Sequence, residues 1–149
     1  MLEKTGPIEK IYEAYTAIAD DRITMHEDHA EVFSSDRSKS YTVSWKDNAY
    51  SSDDSATYWQ GYPGYPVIAV LMLQGRLLYD EAIASQFKDI NWNKLNKEYK
   101  RDYTGAFEHI VEERHLDEET IKKEAETVYA QLKELDITLK KAGKKKKVG

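Results

Sequence analysis

Apolar positions recur every three or four residues near the start of the chain, at Ile8, Ile11, Tyr12, Tyr15 and Ile18. That spacing lays one apolar stripe along a helix over residues 7–19. Pro7 suits its first turn, where a missing N–H costs nothing. The period then drops to two. Tyr41, Val43 and Trp45 alternate with Thr42, Ser44 and Lys46, the pattern of a half-buried strand. Asp47-Asn48 makes a two-residue turn into a return strand over 49–52. Residues 22–26 and 30–34 pair as an earlier hairpin, so the segment reads as a three- or four-stranded antiparallel meander.

From Pro66 onward the pattern is helical. A short helix over 66–74 stops at Gly75, and Asp80 caps a second that runs to Phe87. Asn91 caps a third, which buries Trp92, Leu95, Tyr99, Tyr103, Ala106 and Ile110 and is kinked at Gly105. Asp117 caps the last, where Ile121, Ala125, Val128, Leu132, Leu135 and Leu139 follow at spacings of 4, 3, 4, 3 and 4. This seam either packs on the preceding helix or self-associates with a second copy. The expected fold is α+β: an N-terminal helix, a small antiparallel β-meander, and a helical C-terminal half ending in a long helical hairpin. A single domain over 1–139 is followed by a flexible lysine-rich tail over 140–149.

Composition sharpens this picture. A chain of 149 residues that is 40% hydrophobic and 33% charged is neither disordered nor fibrous. It has no cysteine, which excludes disulfides, thiol catalysis and thiolate zinc sites. The net charge of −5 hides a division: the last ten residues hold six lysines and no acid. Without those six, the 22 cations fall to 16 against 27 acids, so residues 1–139 carry −11. Such a body repels a phosphate backbone, which argues against nucleic-acid contact except through the tail. Residues 55–75 are uncharged, but their only apolar run, 67–73, is too short to cross a bilayer. With no signal-peptide pattern in the first residues, the expectation is a cytoplasmic protein with no membrane contact.

Chemistry-bearing patterns are few. His26, Glu27, Asp28 and His29 gather potential metal ligands, but histidines three apart on a strand point to opposite faces. His109 and Glu113 face one another across a helical turn, a pair too small to make a site. There is no nucleophile elbow, dinucleotide fingerprint or phosphate loop, and no cofactor or metal site is expected. The aromatic residues say more. Tyr41, Trp45, Tyr50, Tyr58, Trp59, Tyr62 and Tyr65 are seven of the 17 aromatics. They either knit the sheet to the short helix or leave Tyr58, Trp59 and Tyr62 as the candidate binding residues on the loop, since Tyr and Trp join an apolar ring to a polar tip.

Residues 41–73 resemble a SWIM-type zinc finger, two strands and then an apolar helix. Ser51, Asp53, Tyr65 and Val67 stand at the positions of that family's metal ligands. None of the four supplies the thiolates or imidazole of the family's site, so the resemblance implies a ββα interaction module without zinc. The function expected is a non-enzymatic interaction protein, using the aromatic loop, the last helix or both, with a protein partner or a second copy of itself. The alternatives are a metal-dependent hydrolase built on His26 and His29, and nucleic-acid contact through the lysine tail.

Overall fold

In a computed structural model that describes residues 2–141, the first helix, α1 (Lys10–Ala19), lies at the centre of the molecule. Residues 11–17 are all buried, because α1 is met by helices on several sides. One neighbour is α2 (Tyr65–Leu73), whose residues 66–72 are buried in turn. It sits between α1 and the sheet, so it is apolar all round and has no polar face. Short helix α3 (Glu81–Ala84) runs into a 3-10 turn (Ser85–Phe87), and both pack on α1. Then come α4 (Trp92–Glu98), α5 (Tyr103–Arg114) and α6 (Glu118–Glu134).

The sheet has the order β1-β2-β3-β4-β5. Strands β1 (Ile23–Met25), β2 (His29–Phe33), β3 (Ser40–Lys46) and β4 (Ala49–Ser52) form the antiparallel meander. The expected turn is present: Lys46 pairs with Ala49, and Asp47 takes φ 56° between them. A fifth strand, β5 (Thr138–Leu139), pairs parallel with β4. The architecture is therefore mixed α+β, with an N-terminal helix and a long helix near the C-terminus. Among the described residues no helix is long and apolar enough to cross a membrane.

Three capping residues act as their positions imply. Asp80 accepts the Ala82 N–H at 2.9 Å, Asn91 the Lys94 N–H at 3.1 Å, and Asp117 the Thr120 N–H at 3.3 Å. Two expectations from periodicity need correction. The stripe from Trp92 to Ile110 does not lie on one helix kinked at Gly105. The chain breaks earlier, at Lys100 and Arg101, which take φ of 52° and 67°. Asp102 then starts α5 by accepting the Gly105 N–H at 3.1 Å, and a local cap outweighs the continuing apolar pattern. The heptad seam also ends early. Ile121, Ala125, Val128 and Leu132 are buried on α6, but Leu135 is extended and Leu139 lies in β5. The fully buried Ile137 and the hydrogen bonds gained along the β4 edge reward leaving the helix there. Because the four α6 positions are covered within the chain, that seam offers no surface to a second copy.

Candidate functional site

A cleft of about 910 Å³ opens where α1, the β2–β3 loop, the β4–α2 connection and α4 meet. Each wall has a local cause. The β2–β3 loop is wound around Asp36, which accepts the Ser38 N–H at 2.9 Å and hydroxyls of Ser38 and Ser34 at 2.6 and 3.0 Å. The hydroxyl and then the N–H of Ser38 hold the Asp36 carboxyl down to about 2. The Ser34 hydroxyl also accepts the Lys39 N–H at 3.1 Å, which sets Lys39 on the rim.

The β4–α2 connection is organised from below by buried Asp54. Its carboxylate accepts the Ser52 hydroxyl and, at 3.1 Å, the Thr57 N–H; the Thr57 hydroxyl in turn accepts the Gly64 N–H at 3.0 Å. A side chain at position 64 would collide with the Asp54 carboxylate, so glycine is required there. Burial pushes the Asp54 carboxyl above its ordinary value, although the Ser52 and Thr57 donors oppose this. Between these anchors the chain makes a π-helical turn (Ala56–Gln60) that carries Tyr58 and Trp59.

Opposite that turn, α1 contributes Lys10 and Glu13, with Lys10 Nζ 3.3 Å from Glu13 Oε2 and 4.9 Å from the Tyr103 ring centroid. Burial raises the Glu13 carboxyl, and the opposing effects of Lys10, Asn96 and Arg22 do not overcome it. Burial also works against the Lys10 charge, but there the Glu13 carboxylate wins and the pKa rises. Beneath them Arg22, 2% exposed, donates from Nη1 to the Phe33 carbonyl at 2.7 Å. The remaining wall holds Asn93, Asn96 and Lys97 of α4, then Lys100 and Arg101 of the left-handed turn.

The raised Glu13 gives a stability prediction. The native state keeps this proton to higher pH than the unfolded chain, so stability falls as pH rises from the ordinary 4.5 through the native value. In Glu13→Gln that contribution is gone. Melting temperatures of variant and wild type, compared from about pH 4 to about pH 7, are expected to diverge in the variant's favour as pH rises. A difference that stays constant with pH contradicts the assignment.

The structure separates the candidate binding residues. Trp59 is 65% exposed and lines the cleft. Tyr62 lines it too but is half-buried, packed so closely on Gly6 that a side chain there would strike its ring, with Lys4 Nζ 5.7 Å above. Tyr58 stands edge-on to Trp59, centroids 4.6 Å apart, and is not part of the cleft lining. The lysines at 144–147 lie outside the described residues. A second, smaller hollow of about 640 Å³ over the β3–β4 turn is lined by Trp45, Lys46 and Lys140 among others, with no buried charge.

The two histidines expected to diverge in fact meet. They flank the β1–β2 turn, joined by a His26 N–H to His29 carbonyl bond of 2.8 Å, and their rings stack at 4.5 Å. The turn between the two strands, not alternation along one of them, sets their directions. His29 Nδ1 lies 2.7 Å from Asp28 Oδ1, and His26 Nε2 lies 3.5 Å from Glu31 Oε2. Among the described residues, no three His, Asp or Glu side chains converge on a point that a metal ion would occupy. His109 pairs with Glu113 at 3.0 Å.

Sequence reasoning missed Lys10, Glu13, Lys39, Lys97, Lys100 and Arg101. Two signals were present: Glu13 is the only charge in residues 11–19, and residues 94–101 hold four cations and one acid in an acidic chain.

A family model with the description "Uncharacterised conserved protein UCP014422" matches residues 3–138, and the chain belongs to that family. No curated protein and no solved structure matches. The SWIM-type likeness finds no support in the family match. Strands β3 and β4 do precede α2, but Val67 is fully buried and Asp53 accepts the Thr42 N–H at 2.9 Å, so both are engaged elsewhere.

Proposed function

We propose that this member of the family is a non-enzymatic binding protein whose cleft takes a ligand carrying both an anionic group and a ring. One observation supports this above the others. Five of the 16 cations of residues 1–139 line the cleft, namely Lys10, Lys39, Lys97, Lys100 and Arg101. Only two of the 27 acids do so, Glu13 and Asp54, and both are buried. A surface at +3 on a body at −11 is a local inversion of charge, and a cleft of one sign concentrates ligands of the other. The ring half of the ligand would lie against Trp59 and Tyr62, which keeps the aromatic turn in the role its composition suggests. A partner protein offers the same chemistry through an acidic side chain beside an aromatic one.

Phenyl phosphate and inorganic phosphate separate the two halves of this reading. Isothermal titration is expected to show phenyl phosphate binding about tenfold more tightly, as ring stacking of roughly 1.4 kcal/mol requires. Both affinities are expected to fall as salt rises from about 50 to about 200 mM. Equal affinities, binding indifferent to salt, or no binding of either compound would sink the proposal.

A further inference from the structure

Residues 138–141 lead from the sheet edge to the aromatic turn. Thr138 N–H donates to the Asn48 carbonyl at 2.9 Å and Lys140 N–H to the Tyr50 carbonyl at 2.7 Å, so β5 delivers the next residue to a defined place. Lys141 Nζ lies 5.0 Å from the centroid of Tyr58 and 5.5 Å from that of Trp59. These two rings are 77° apart, the walls of a corner that an ammonium group occupies. Both distances fall within the range at which a ring quadrupole attracts a cation.

We propose that the Tyr58–Trp59 corner is a recognition site for an alkylated ammonium group, occupied in cis by Lys141. The physical case has three parts. Two electron-rich faces converge on one cation. The backbone bonds of β5 hold Lys141 close by, so a weak contact is occupied through high effective concentration. A primary ammonium prefers water, whereas a methylated one gives up less hydration and offers more apolar surface. Such a ligand therefore displaces the Lys141 ammonium from the corner. The anion-binding reading is not needed for this. The corner takes a cation, and only Trp59 is shared between the two sites.

The test uses the full-length protein and tetramethylammonium chloride, with sodium chloride at equal ionic strength as reference. The readout is the indole N–H signal of Trp59 in an NMR titration, assigned by its loss in Trp59→Phe. A saturable shift is expected with tetramethylammonium and not with sodium. Lys141→Ala is expected to tighten binding about two- to fivefold, the factor equivalent to one exposed cation–π contact. Lys141→Arg should keep the corner occupied, and Tyr58→Leu should remove the saturable shift while the Trp45 and Trp92 signals report the fold. A linear shift matching that of sodium overturns the proposal, and so does an affinity unchanged in Lys141→Ala.

Discussion

Exchanging Lys39 and Lys97 together for glutamate is expected to weaken phenyl phosphate binding at least about 100-fold and to leave the melting temperature nearly unchanged. Both residues are exposed, and both line the cleft, one from the β2–β3 loop and one from α4. A hydrogen bond to a charged group contributes roughly 1.5–3 kcal/mol, so losing two removes at least about 3 kcal/mol before any repulsion is added. The lining charge passes from +3 to −1, which brings the cleft into line with the acidic body. Little else should move. Lys39 is tied to its loop through its backbone N–H, which the substitution keeps. Lys97 lies in the last turn of α4, where reversal of charge costs only about 0.3–1 kcal/mol against the helix dipole. A binding loss under about threefold would mean that these cations do not meet the ligand.

Thr16→Val should be the most costly conservative change in the core. Thr16 is fully buried on α1, and its hydroxyl joins two other elements. It donates to the Phe87 carbonyl at 2.7 Å and accepts from Trp92 Nε1 at 2.7 Å. Valine has the same shape and neither function, so a carbonyl and an indole N–H remain buried and unpaired. At about 1–3 kcal/mol for each stranded group, the expected loss is about 2–6 kcal/mol. That corresponds to a fall in melting temperature of about 6–18 °C for a domain of this size. Thr16→Ser keeps the hydroxyl and should lose only about 1 kcal/mol with the methyl group. If calorimetry finds valine no worse than serine, the hydrogen bonds do not carry the effect. The change also reaches the cleft, because Trp92 begins the helix that holds Asn96 and Lys97 in its wall.

Much of the fold was legible because its determinants are local. Alternation at Tyr41, Val43 and Trp45 specifies one strand, Asp47-Asn48 its turn, and Asp80, Asn91 and Asp117 start helices with their own side chains. The errors fall where a competing element lies far away or a second local signal intervenes. Asp102 restarts a helix inside a continuous apolar stripe, and Leu139 leaves a heptad seam to pair beside Tyr50, some ninety positions earlier.

The site divides the same way. The aromatic turn stood out by composition, as part of a run of seven rings within 25 residues. The cations did so only in part, because Lys97, Lys100 and Arg101 are neighbours in sequence while Lys10 and Lys39 lie far from them on a chain whose net charge points the other way. What the sequence determined alone was the strongly acidic body, the cysteine-free chemistry, the caps and the alternation, each a property of residue type and spacing. Only the tertiary structure decided which charges face one another. Burial of Glu13, the gathering of five cations and the seating of Lys141 on two rings all depend on contacts between distant segments, and no local period encodes them.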